Sequence, residues 1–283
     1  MDDTKKEKNK VNKIKTFHVP FSLTNFKENF TINTNTPLKS SKEEIINQAL
    51  NYHSQGNIKK ARKYYHYLIN QGLQDHKIFS NYGVLLKHLG NADEAAIYIR
   101  KATELKPDLP NLHFNLGIIL KDLGRLQEAE LSTRKAIELN PNFTNAHTNL
   151  GEILSKIGKL KEAELSTRKA IELKPDYAKA HLNLGTILKA LGNLQDAELS
   201  YRKAIEINPD FADAHYNLGN ILNYLGKLKE AELSYREAIE LKPDFAEAYS
   251  NLGNVLRGLG KLQELILLSK STFKLKSITQ EDK

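Results

Sequence analysis

A fixed period constrains this chain more than any other feature. The stretch Ala212–Phe245, ADAHYNLGNILNYLGKLKEAELSYREAIELKPDF, recurs with few changes every 34 residues. Pro107, Pro141, Pro175, Pro209 and Pro243 mark the interval. A period of this length, split into two helical halves, specifies a stack of equivalent hairpins in which each unit buries its apolar face against its neighbours. Repetition of this kind defines a surface rather than a reaction.

Within the unit, Leu218, Ile221, Leu222 and Leu225 fall at i, i+3, i+4 and i+7, one apolar face of an amphipathic helix. Gly226 follows where a left-handed C-cap belongs. The second half repeats the pattern with Leu228, Ala231, Tyr235, Ala238 and Ile239. Pro243 stops it, because proline lacks an amide donor and disfavours helical geometry just before itself. Asp244, with Glu247 three residues on, is placed to cap the next first helix.

Two small residues recur with the period. Gly83, Gly117, Gly151, Gly185, Gly219 and Gly253 sit mid-helix, where glycine costs about 1 kcal/mol relative to alanine. Such a residue implies a second helix crossing close by, and Ala61, Ala95, Ala129, Ala163, Ala197 and Ala231 supply its small counterpart. With these pairs, the inter-helix glycine and the terminal proline, the chain resembles the tetratricopeptide repeat (TPR) family from Lys42 to about Thr279. The tryptophan usual near the family's unit start is absent; Phe79, His113, His147, His181, His215 and Tyr249 stand there. The resemblance implies an all-α, right-handed α-solenoid, or superhelix, of seven helix-turn-helix units at 42–75, 76–109, 110–143, 144–177, 178–211, 212–245 and 246–279. The first and last are degenerate, 1–41 forms a basic tail and arm, and 280–283 is a polar tail.

Cysteine is absent, which excludes disulfides and thiolate metal sites. No apolar run approaches the roughly 20 residues of a membrane span, and the lysine-rich N-terminus lacks the apolar core of a secretory signal. A cytoplasmic location is the expectation. The formal charge of +8 is concentrated in the tails: residues 1–41 hold eight lysines against four acids, and residues 270–283 four lysines against two acids. The repeats keep little of it, which disfavours nucleic acid as the partner, since nucleic-acid binders carry their basic charge on a folded face.

The segment Thr16–Thr36 alternates Phe17, Val19, Phe21, Leu23, Phe26, Phe30 and Ile32 partly with polar residues. It reads as two short strands or an extended arm, either capping the first repeat or reaching a second protomer or the groove. Ser41 and Glu44 have capping-box spacing for the first repeat helix. In the last unit Leu265 replaces the small alanine, and Ile266 and Leu268 replace a glutamate and a serine. Local repacking, a self-association surface and docking for a further domain all fit that change; the polar tail after it leaves no room for such a domain here.

The most informative ladder lies in the first helices: Asn47, Asn81, Asn115, Asn149, Asn183, Asn217 and Asn251. Asparagine is a mediocre helix former, so seven copies ask for a reason. By the TPR resemblance this position faces the concave groove, where an amide offers both donor and acceptor to a peptide backbone. A hydrogen bond to the neighbouring repeat, or plain duplication, explains it equally simply. The ladder resembles the one in the TPR region of O-linked N-acetylglucosamine transferases, whose catalytic domain has no counterpart here.

Specificity should come from positions that vary between copies: Val84, Ile118, Glu152, Thr186, Asn220 and Asn254, then Lys87, Lys121, Ser155, Lys189, Asn223 and Arg257. Four cations in the second set favour or tolerate acidic extended segments, unless they are simply solvated lysines. The chaperone-tail clamp of other TPR proteins needs an arginine where these repeats keep asparagine.

His113, His147, His181 and His215 cannot share a metal ion, because equivalent residues are separated by packed helices 8–10 Å apart while nitrogen ligands lie about 2 Å from their ion. They read as interhelical packing residues. Ser132, Ser166, Ser200 and Ser234, with Glu130, Glu164, Glu198 and Glu232, read as solvated outward positions rather than catalytic ones. No phosphate-binding glycine pattern follows a strand. The sequence thus describes a non-enzymatic protein-interaction scaffold without cofactor or metal, binding an extended peptide or a partner's helix. The alternative is the substrate-recruiting module of a glycosyltransferase or other transferase without its own catalytic domain.

Overall fold

The structure, a computed structural model, describes residues 42–267. The N-terminal arm, the Ser41 cap, Leu268 and the polar tail lie outside the described residues. The chain divides into two compact units, Met1–Lys106 and Pro107–Lys283. The first holds α1 (Lys42–Ser54), α2 (Ile58–Asn70), α3 (His76–His88) and α4 (Ala92–Leu105). The second holds α5 (Pro110–Asp122), α6 (Leu126–Leu139), α7 (Thr144–Ile157), α8 (Leu160–Leu173), α9 (Ala178–Ala190), α10 (Leu194–Ile207), α11 (Ala212–Tyr224), α12 (Leu228–Leu241) and α13 (Ala246–Gly258). Residues 262–267 are helical as well, so the last hairpin is described only in part. Every described element is a helix, consecutive helices pair as hairpins, and each unit is a helical-hairpin stack.

The turn inside each hairpin follows from one glycine. At the end of α11, Gly226 adopts φ 74°. Its amide reaches Asn223 O at 3.0 Å while the Lys227 amide reaches back to Leu222 O at 2.8 Å. Those two bonds satisfy carbonyls the helix leaves open, and a β-carbon at Gly226 would strain the left-handed backbone they require.

Helix starts depart from the sequence expectation. Asp75 does cap α3, accepting from the Lys77 and Ile78 amides at 2.8 and 3.0 Å. Asp244 does not cap α13: the N-cap is Phe245, with no side-chain cap bond. Asp244 stands one residue too early for its carboxylate to serve the first-turn amides. Its carbonyl instead accepts from the Ala246 amide at 2.9 Å. The histidines tie these entries down. His113, His147 and His181 each set Nε2 2.8 Å from the carbonyl of Pro107, Pro141 and Pro175, and His215 sits 2.9 Å from that of Pro209. A carbonyl only accepts, so Nε2 is the donor in all four.

Hairpin packing rests on the mid-helix glycines. A β-carbon at Gly185 would meet the Tyr201 ring at 2.6 Å, one at Gly219 the Tyr235 ring at 2.7 Å, and one at Gly83 Ile99 Cγ1 at 2.7 Å. At Gly117 and Gly151 the obstacle is the hydroxyl of Thr133 or Thr167, with the carbonyl of Ala129 or Ala163 at 3.3 Å. The close crossing holds, and the side chain one turn after the small alanine is what fills the space. Tyr201 and Tyr235 are fully buried there, in one core cluster with Leu188, Leu222 and Leu256.

Within the second unit, the backbones of α5, α7, α9, α11 and α13 approach one another in succession, whereas α6, α8, α10 and α12 do not. The first helices therefore form the inner side of this unit's stack. Leu265, partly buried, packs against the core cluster beside α12 and α13, while Ile266 and Leu267 are exposed.

Replacing Gly185 by Ala should destabilise the chain by about 1–3 kcal/mol in urea unfolding, despite alanine's better helix propensity, because the Tyr201 ring has nowhere to go. The comparison variant Gly258→Ala meets only the flexible end of Leu228, at 3.3 Å, and should change little.

Candidate functional site

The first-helix face of the second unit carries polar side chains that differ from copy to copy, and the hydrogen bonds sort the asparagine ladder into two groups. Asn149 is buried and donates to Thr133 Oγ1 at 3.1 Å. Asn183 donates to Glu152 Oε1 at 3.0 Å, and Asn251 to Asn220 Oδ1 at 2.8 Å. Asn220 also accepts from the Tyr235 hydroxyl at 2.8 Å, so its carbonyl is doubly used. In the first unit, Asn81 donates to Lys77 O in its own helix at 2.8 Å. Asn115 and Asn217, both half-buried, make no side-chain hydrogen bond among the described residues.

The cations sort in the same way. Lys121, expected in the groove, is 12 % exposed and paired with Glu152 at 2.5 Å. Lys179 reaches the other oxygen of Glu152 at 2.9 Å. Burial would raise the Glu152 carboxyl, but Lys121 and Lys179 outweigh it and hold it down at about 2. Three first helices, α5, α7 and α9, thus meet at one carboxylate. Lys189 is exposed and forms no ion pair among the described residues, and Arg257 is exposed with only Asn254 Oδ1 near, at 3.3 Å. Asn223, Asn254 and Tyr224 are exposed beside them. Lys87 is half-buried on α3 of the first unit.

The second helices overturn one sequence expectation. Glu130, Glu198 and Glu232 are buried, not solvated. Each accepts from an arginine one turn later, Arg134, Arg202 or Arg236, at 2.9 Å. Each also accepts from the lysine before the next second helix: Lys159 at 3.0 Å, Lys227 at 2.9 Å and Lys261 at 2.8 Å. The same arginines continue to Glu162, Glu230 and Glu264. Burial raises these three carboxyls and the cation bonds lower them further, leaving each below the ordinary 4.5. Ser200 and Ser234 are buried too, with their hydroxyls donated to Asp196 O and Glu230 O. The acids join neighbouring hairpins, whereas these two serines bond only within their own helices.

The sequence reading also missed a ladder of exposed leucines. Leu131, Leu165, Leu199, Leu233 and Leu267 are 64–70 % exposed, at one period's spacing. Their signal was present as a leucine off the apolar face of every second helix in the second unit.

Family models for the tetratricopeptide repeat match residues 76–109, 110–143, 133–164 and 167–198, and a TPR-repeat model matches 185–223 and 219–260. The chain belongs to the TPR family. Among solved structures, this TPR protein is 26 % identical to MamA, with a TM-score of 0.51, 58 % of this chain and 96 % of that one covered. YrrB, a TPR protein described as having an unusual peptide-binding site, is 24 % identical with a TM-score of 0.50, covering 65 % and 95 %. PilF of Pseudomonas aeruginosa shares the fold at 17 % identity and a TM-score of 0.63, covering 74 % and 97 %. A comparison with curated protein sequences found no match. Among the described residues no helix is long and apolar enough to cross a membrane. TPR arrays are protein-interaction scaffolds, and what this chain matches is scaffold throughout.

Because Glu130, Glu198 and Glu232 are depressed when folded, their stabilisation is present above 4.5 and is lost as pH falls through the folded values. Urea unfolding should therefore show falling stability from pH 5 towards pH 3. The triple change to Gln should be less stable at pH 7 and flatter across this window, though not flat while Glu152 still titrates.

Proposed function

We propose that the second unit binds an extended peptide along its first-helix face. The contacts are Asn115, Asn217 and Asn223 as backbone-reading amides, with Lys189, Asn254 and Arg257 selecting an acidic segment. The observation that carries this reading is the division of that face into engaged and unengaged polar groups. Asn149, Asn183 and Asn251 have their amide donors occupied internally. Asn115 and Asn217 keep donor and acceptor unused on the inner side of the stack, where a ligand would meet several helices at once. Asn81 and Lys87 hold the equivalent positions in the first unit. YrrB, with its peptide-binding site, shares the fold, which is support by analogy of architecture. Asn149 and Lys121 fall outside the contact set, because one is buried and the other committed to Glu152. Self-association through Ile266 and Leu268 is narrowed to Ile266 and its exposed neighbour Leu267, Leu268 being outside the described residues.

Selection of peptides by the full chain from a displayed random library, followed by calorimetric titration, tests this. The variant Asn217→Ala/Lys189→Ala/Arg257→Ala should bind the selected peptides at least about tenfold more weakly, some 1.4 kcal/mol. Its helicity should be unchanged. Leu165→Ser/Leu199→Ser, on the opposite side of the hairpins, should bind them normally. The reverse result would move the binding surface to the leucine ladder.

A further inference from the structure

Glu152 is the one acid at its position in the period. The equivalent residues are Val84, Ile118, Thr186, Asn220 and Asn254. Lys179 has a lysine counterpart only in Lys77 of the first unit; Asn111, Asn145, Asp213 and Glu247 stand in the matching places of the second. The copy-specific Glu152 meets Lys179 at 2.9 Å, joined by Lys121 at 2.5 Å and the Asn183 amide at 3.0 Å. Hairpin packing does not require an acid at position 152, because the equivalent residues of the other copies are apolar or neutral.

Three donors from two flanking helices converge on a single carboxylate that is 20 % exposed, with Lys179 51 % exposed above it. That is the coordination a peptide aspartate, glutamate or C-terminus would receive: two ammonium groups and an amide, all donors, with charge-assisted geometry. We propose that Glu152 is the built-in occupant of a carboxylate site formed by Lys121, Lys179 and Asn183, and that it excludes acidic side chains from this stretch of the face. Resting on the peptide-binding reading above, this makes Glu152 a specificity-determining residue. A bound peptide can present acids to Lys189 and Arg257, and must present something else to α5–α9.

A purely structural role has its own observation behind it. Glu164 pairs only with Arg168, because Asn193 replaces the lysine of the other copies and Asp196 the longer glutamate. The outer clamp is missing at the junction of α8 and α10, and the Glu152 cluster crosses that same stage of the stack on the inner side. The two roles separate in binding. A structural crosslink predicts that neutralising Glu152 costs stability and adds no affinity for acids. An occupant predicts that affinity appears.

The probe is a fluorescein-labelled hexaglutamate peptide, read by anisotropy at low and high salt with the full chain. Glu152→Gln should bind it about tenfold more tightly than the unaltered chain at low salt, and the gain should shrink at high salt. Adding Lys121→Gln and Lys179→Gln should abolish the gain. Should Glu152→Gln fail to fold, Glu152→Thr places there the residue type of Thr186, which this repeat already accommodates. No gain in either folded variant, or a gain that survives loss of both lysines, overturns the proposal. The outcome is independent of the library experiment. Library peptides that depend on the leucine ladder would sink the peptide-face reading alone, while a missing hexaglutamate gain would sink this one alone.

Discussion

Everything in this fold depends on how closely the two helices of a hairpin approach at one point. A mid-helix glycine is a local liability, and it persists because the partner helix places a ring, an isoleucine or a threonine where a β-carbon would sit. At Gly185 and Gly219 the filler is Tyr201 or Tyr235, each fully buried. Burial pushes the Tyr235 phenol up to about 12, so it stays a neutral donor, and its hydroxyl emerges on the first-helix side to meet Asn220. The contact that closes the hairpin also delivers a polar group to the first-helix face. At Gly117 the filler is Thr133, and there the delivered group is a hydroxyl that accepts from Asn149.

Stacking of one hairpin on the next uses a different currency. The inner helices touch by backbone approach, and the outer ones are spanned by long side chains. Buried acids at Glu130, Glu198 and Glu232 hold an arginine of their own helix and a lysine from the next repeat. Each acid holds two cations, so losing either one leaves the buried carboxylate still paired. Repeat-to-repeat coupling is thus charged between these outer helices, while the inner helices add neutral hydrogen bonds at Asn149 and Asn251 and a charged cluster at Glu152.

The period, the hairpin, the C-cap glycines and the close crossing were all legible in the sequence, because each follows from residues within one unit. What was not legible depends on a neighbour 16 to 31 residues away. Glu130 looks like a solvated position on its own helix; Lys159 and the next hairpin bury it. Lys121 looks like a free groove cation until Glu152, one helix on, takes it. Asp244 fails as a cap by a single residue, which a pattern of letters does not resolve. Leu265 stands at the small-alanine position, and the core cluster takes its larger side chain.

The asparagine ladder makes the same point most sharply, since one letter has several fates. Asn149 faces Thr133, a hydroxyl acceptor, and is drawn into the packing. Asn183 stands at the same spacing from Thr167. The Glu152 carboxylate is a stronger acceptor than a hydroxyl, and the Asn183 amide goes to it. Asn217 faces Tyr201, whose hydroxyl is turned to Thr186 at 3.3 Å, and is left with donor and acceptor unused. Asn251 joins the Tyr235 hydroxyl on one shared acceptor, Asn220. The filler beside the preceding glycine therefore does not act alone: Asn149 is held by Thr133, whereas Asn183 and Asn251 are held by Glu152 and Asn220, the residues 31 positions earlier on the preceding first helix. Where that earlier position is Thr186, already engaged by Tyr201, Asn217 keeps its amide unused.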